Sequence, residues 1–138
     1  MTNELHDFEQ FMEQRQNAAQ AYVSGDAAPL DKLVAHDGDA TFFGPRGGSV
    51  EGATNVASRY TRDVAAFAPG SDNHFEILHM AASDGLAYWV GFQRSQAHMK
   101  GQAEAVPFNL RVTEIFRREG DSWKMIHRHA DTLSTESE

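Results

Sequence analysis

The segment His127-Arg128-His129-Ala130-Asp131 holds the densest set of reactive side chains in this chain. In a β-strand alternate residues share a face, so His127, His129 and Asp131 point one way. Two imidazoles and a carboxylate on one face suit a metal, or a general base with an orienting partner: His129 as the base, Asp131 as its support. The competing reading is structural. If the Gly120-Asp121 turn pairs Arg118 with Trp123, then Glu114 faces His127 and Val112 faces His129. Glu114–His127 is then an opposite-charge cross-strand pair worth roughly 0.2–1 kcal/mol. That ordinary explanation displaces the metal, and neither a metal site nor a cofactor is expected.

The same register puts Asn109, Arg111, Thr113 and Arg128 on one face. Arg111 lies between Leu110 and Val112 in a strand-like run, where a guanidinium is rarely buried without an anion. Its planar fork of donors matches a carboxylate. The expectation is that Arg111 and Arg128 hold the carboxylate or enolate oxygen of a small, partly apolar ligand, with Asn109 and Thr113 as neutral partners. Glu51, Glu76, Glu104 or Glu114 is the internal alternative for either arginine. Phe108, Leu110, Val112, Phe116, Trp123 and Met125 form the opposite, apolar face. With the polar face assigned to the cavity, this apolar face becomes a sheet-to-sheet homodimer interface.

These strands need a scaffold. Asn3 to Ser24 carries Leu5, Phe8, Phe11, Met12, Ala18, Ala19, Tyr22 and Val23 at helical spacing, with Thr2 or Asn3 as a cap and Gly25 as a stop. A short helix follows at Pro29, then a strand at Ala40 to Phe43. Gly44-Pro45-Arg46-Gly47-Gly48-Ser49 lacks the Gly-Lys-Ser/Thr ending of a phosphate loop and reads as a turn. A third helix runs from Gly52 to Phe67. His74 to Ala82, Leu86 to His98, Ala105 to Arg118 and Ser122 to Thr132 are long strand candidates separated by Gly-containing turns. Tyr88, Trp89 and Phe92 belong to the core or an interface. The tail from Ser134 onward is polar and expected to fray. Helices followed by a meander predict an α+β fold: a cone-shaped, curved antiparallel sheet wrapped around three N-terminal helices.

The chain has 138 residues, 41% hydrophobic and 23% charged, which fits one globular domain spanning 1–138. Its formal charge of −8 and lack of basic blocks argue against nucleic acid and anionic membrane surfaces as partners. It has no cysteine, so thiol catalysis, disulfides and Cys-ligated zinc are excluded. Glu4, Asp7 and Glu9 interrupt the start, which does not resemble a signal peptide, and a cytoplasmic location is expected.

Three motifs carry a resemblance. They are Ser24-Gly25-Asp26, Asp39-Ala40-Thr41-x-x-x-Pro45 and Glu51-Gly52 opening a helix. Together they resemble the nuclear transport factor two-like superfamily. Leu110-Arg111-Val112-Thr113-Glu114-Ile115-Phe116-Arg117-Arg118, a Gly turn, and Trp123-Lys124-Met125-Ile126-His127-Arg128-His129 resemble its SnoaL-like branch. The same segments are similar to the association domain of calmodulin-dependent kinases. That resemblance implies cavity arginines at positions matching Thr113 and Ala130. The related ketosteroid isomerases carry a base Asp where this chain has Gly44 and an oxyanion Tyr where it has Ala18. Steroid isomerisation is therefore not expected. The resemblance implies a small-molecule-binding protein, of lyase, isomerase or cyclase type if it is an enzyme. The alternative is a non-catalytic oligomerisation module.

Overall fold

Asn3 opens the first helix by accepting the His6 amide at its Oδ1, 3.0 Å away. This helix, α1, spans Glu4–Val23. It ends at Gly25, whose φ of +99° suits glycine and whose amide donates to the Tyr22 carbonyl. A Cβ there would also sit 3.1 Å from the Phe67 carbonyl oxygen. The structure, a computed structural model, describes residues 3–134. The expected frayed tail beyond Ser134, and Thr2, lie outside the described residues.

Helix α2 covers Ala28–Asp31, with Pro29 in its first turn. Strands β1 (Thr41–Phe43) and β2 (Ser49–Glu51) form a small antiparallel pair around the Gly44–Gly48 turn. The turn is as expected, whereas β2 is too short to show a period in the sequence. Helix α3 (Ala53–Asp63) runs into a 3₁₀ turn at Val64–Ala66. Four strands of the meander follow: β3 (Asp72–Ser83), β4 (Leu86–Ala97), β6 (Leu110–Glu119) and β7 (Ser122–Thr132). A two-residue strand β5, Val106–Pro107, pairs with the end of β4.

Among the described residues the strands form one sheet in the order β2-β1-β7-β6-β4-β3. The α+β fold is as expected, with a curved, open sheet. The sheet is mixed rather than wholly antiparallel. β1 runs parallel to β7, Thr41 opposite His127 and Phe43 opposite His129. No hairpin links these two strands, so no tight turn fixes their relative direction.

Two bulges shape the sheet. One lies in β3 between Ile77 and His79. Opposite it, Gly91 meets the β3 backbone so closely that a Cβ would stand 2.1 Å from the Glu76 carbonyl oxygen. The other interrupts the β6–β7 register between Ile115 and Phe116. Arg118 does pair with Trp123, as the turn predicts. Beyond Met125 an extra residue, Ile126, shifts the pairing by one, so Glu114 faces Arg128 instead of His127.

The inner face of the sheet packs on α1. Phe8 meets Phe116 and Trp123 with ring centroids 5.2 and 5.5 Å apart. Leu110, Val112, Phe116, Trp123 and Met125 are all buried here. The assignment of this apolar face to a dimer interface is thus corrected: burial against the helices claims it. Among the described residues no helix is long and apolar enough to cross a membrane.

Candidate functional site

A charged cluster lies inside this core. Arg15 occupies the buried stripe of α1, one turn after Phe11 and Met12 and one turn before Ala18 and Ala19. Glu114 takes the inward position between Val112 and Phe116 on β6 and is fully buried. Arg15 grips it in a fork, Nε to Oε1 at 2.8 Å and Nη2 to Oε2 at 2.7 Å. Trp89, paired with Glu114 across β4 and β6, donates its indole N–H to Oε1 at 2.9 Å. Arg128, brought opposite by the β7 bulge, donates to Oε2 at 2.5 Å. Burial pushes the Glu114 carboxyl up, but Arg15 and Arg128 outweigh it and hold its pKa at about 2.

The cluster therefore has two guanidinium groups for one carboxylate and carries an excess positive charge. A polar chain continues from it. Arg128 donates to the Gln93 side-chain oxygen at 2.7 Å, and Gln93 donates to Asn73 at 2.8 Å. Two buried donors, Arg15 Nη1 and Tyr60 Oη, have no hydrogen-bond partner among the described residues. Burial pushes the phenols of Tyr22 and Tyr60 well above the usual tyrosine range, so both are neutral donors. Tyr22 donates to the Tyr60 carbonyl at 2.8 Å.

Arg15, Arg128, Tyr22 and Tyr60 line a cavity of about 650 Å³ between the sheet and the helices. Its apolar wall includes Ala19, Leu30, Phe42, Phe67, Phe108 and Leu110. Side-chain exposure rises from 3% at Arg15 and 11% at Arg128 to 70% at Arg62, so the first pair marks the inner end and Arg62 the mouth. Asp63 is the one carboxylate among the described lining residues, and it accepts from Arg59 and Arg62. The inner end can bind an oxyanion or stabilise negative charge developing on a ligand oxygen.

The predicted residues divide between the two faces. Arg128 is in the cavity. Arg111 is not: it lies on the outer face, 62% exposed, in a bidentate pair with Asp131 at 2.7 and 2.8 Å. This pair lowers the Asp131 pKa. Thr113 shares that face, opposite His129. Asn109 splints the sheet, its Oδ1 accepting the Ser95 amide at 3.2 Å. The expected grouping of Asn109, Arg111, Thr113 and Arg128 is thus corrected. The β7 bulge turns Arg128 inward while Arg111 and Thr113 stay outward. His129 and Asp131 do come together, with Nε2 and Oδ2 3.7 Å apart, but on the outer face away from the cavity. His127 accepts or donates at Nδ1 with Thr41 Oγ1, 2.7 Å away, and burial lowers its pKa. Gly44 lines the cavity without a side chain and Ala18 is buried in the core, so neither supplies the isomerase groups.

Arg15 and Tyr60 were absent from the expected site. The signal for Arg15 is legible in retrospect: it is a charge on the apolar stripe of an amphipathic helix. Glu114 carries the same signal, an acid at an inward position among Leu110, Val112 and Phe116. A charge placed where burial is certain needs a buried partner of opposite sign.

The fold matches known structures closely. A candidate dehydratase of the nuclear transport factor 2-like family from Streptomyces avermitilis superposes with a TM-score of 0.74 at 18% identity, covering 95% of this chain and 99% of that one. A nuclear transport factor 2-like superfamily protein from Salmonella enterica serovar Typhimurium gives 0.76 at 12% identity, covering 96% and 94%. The CamKII hub homology domain of Chlamydamonas reinhardtii gives 0.67 at 17% identity, covering 90% and 96%. No functionally curated protein matches the sequence. The SnoaL-like domain model matches residues 12–132, and the chain belongs to the SnoaL-like domain family.

Proposed function

We propose that this protein binds a small, partly apolar carboxylate or carbonyl compound in the cavity, with the ligand oxygen held at the inner end by Arg128 and Arg15. The observation that carries this reading is that Arg15 and Arg128, two guanidinium groups sharing the one carboxylate of Glu114, both line the cavity. A buried guanidinium with an unsatisfied donor favours an anionic partner. Tyr60 adds a second unpaired donor.

Where the protein also transforms its ligand, the residues suit a lyase, isomerase or cyclase-type step in which charge develops on that oxygen. Arg128 stabilises the charge, and Asp63 is the carboxylate available to move a proton. Asp63 is already paired with Arg59 and Arg62, at 2.9 and 3.2 Å, so the proposal rests on binding. The hub homology domain supports a second reading, a non-catalytic oligomerisation module. An open cavity with a polar inner end favours the first.

The test is isothermal calorimetry with small aliphatic and aromatic acids, together with native mass spectrometry for a co-purified ligand. Binding that is lost in Arg128→Gln supports the proposal. A folded protein that binds no acid, carries no ligand and assembles into a ring supports the module reading instead.

A further inference from the structure

The mouth of the cavity has a cationic character of its own. Arg46, Arg59 and Arg62 line the cavity with the single acid Asp63, and all three are more exposed than Arg15 and Arg128, which sets them toward the mouth. Arg46 is displayed by the turn between β1 and β2, which is fixed by the Gly44 amide on the Gly48 carbonyl at 3.0 Å and the Gly47 amide on the Gly44 carbonyl at 3.1 Å. Arg59 and Arg62 lie one turn apart on α3. Both reach Asp63, at 2.9 and 3.2 Å. Three cations and one anion leave the mouth with two positive charges in excess. The inner end adds one more.

This concentration runs against the rest of the molecule. Twelve Lys and Arg face twenty Asp and Glu in the whole chain. Five of those twelve cations line this one cavity. An acidic protein that gathers arginines at both ends of an apolar chamber has a field suited to a ligand charged at both ends. Leu30, Phe42, Phe67 and Phe108 lie on the wall and suit an apolar middle.

We propose that the ligand is an elongated dianion: one carboxylate at Arg15 and Arg128, an apolar middle, and a second acidic group, carboxylate or phosphate, at Arg46, Arg59 and Arg62. This rests on the reading of the cavity as an acid-binding site and adds the second charge. Each mouth arginine is partly exposed, so its contribution is modest and depends on salt.

The experiment compares matched pairs of acids by calorimetry at low salt: hexanoate with adipate, octanoate with suberate, decanoate with sebacate. At one length the diacid binds about tenfold more tightly than its monoacid, the size of effect two or three exposed ion pairs supply. The preference shrinks on raising salt to ~0.5 M. The double variant Arg46→Gln/Arg62→Gln loses the preference, chiefly through weaker diacid binding. Asp63→Asn strengthens it. Omega-phosphorylated fatty alcohol acids, tested alongside, show whether phosphate is preferred at the mouth. Monoacid binding with no diacid gain at any length overturns the second site and leaves the acid-binding cavity standing. A diacid preference that survives the double variant overturns the assignment to these arginines. Binding of neither class overturns both readings.

Discussion

Glu114→Gln is the most informative single substitution. It keeps the shape of the side chain and removes the only charge that offsets Arg15 and Arg128. The wild-type carboxylate accepts two bonds from Arg15, one from Trp89 and one from Arg128. Glutamine presents one acceptor oxygen and turns an NH₂ toward a guanidinium. Removing one partner of a buried ion pair costs ~3–5 kcal/mol, because the remaining charge stays buried without compensation. The depressed carboxyl pKa gives a similar size. The fall of the Glu114 pKa from 4.5 to about 2 corresponds to ~3 kcal/mol of stabilisation. Because the folded value is depressed, this contribution is fully present above pH ~4.5 and is lost as pH falls toward ~2. Urea unfolding at neutral pH, followed by tryptophan fluorescence, measures the difference between the proteins. Thermal unfolding lowers the midpoint of the variant by roughly 10 °C. The gap narrows as both are titrated from pH ~4.5 downward. The triple replacement Arg15→Met/Glu114→Leu/Arg128→Met recovers much of the loss, since an apolar core removes the desolvation cost of all three charges. A loss below ~1 kcal/mol for Glu114→Gln, or a gap that does not change across the acid range, refutes the reasoning.

Three further outcomes follow from the geometry. Gly91→Ala places a Cβ 2.1 Å from the Glu76 carbonyl oxygen and forces β3 and β4 apart, so chemical denaturation records a loss of ~2 kcal/mol or more; a change within ~0.5 kcal/mol contradicts the close approach. Arg128→Lys keeps the charge but loses the fork and weakens acid binding by roughly 1.5–3 kcal/mol, whereas Arg111→Lys on the outer face leaves it unchanged; calorimetry with equal effects at both positions breaks the division of faces. The outer sheet face, with Phe43, Tyr88, Val90, Phe92 and Ile115 incompletely buried, is proposed as the contact of a twofold homodimer; Ile115→Glu shifts the protein toward monomer in analytical ultracentrifugation, and a wild-type monomer at micromolar concentration defeats the idea.

The local periods of the chain carried most of the fold. The α1 stripe, the Gly25 stop, the Gly-containing turns and three of the four long strands are short-range features that match the observed elements within a few residues, while the run from Ala105 to Arg118 divides into β5 and β6. The motifs after α1 and across the last hairpin carried the family. The inner site was only half legible. Arg128 was among the expected ligands, whereas Arg15 was not, although it stands as a charge within the apolar stripe of α1. What the sequence could not supply was which of these charges meet. A strand has a period of two, so one extra residue exchanges its faces. Ile126 is that residue. It separates a hairpin end that pairs Arg118 with Trp123 from an inner end that pairs Glu114 with Arg128. No residue type marks the bulge. On its two sides the Met125 backbone pairs with Leu33 and Ala35, Trp123 packs on Phe8 of α1, and Arg128 reaches the carboxylate that Arg15 already holds. The Arg15–Glu114 contact joins residues 99 positions apart, and only the tertiary structure brings them together.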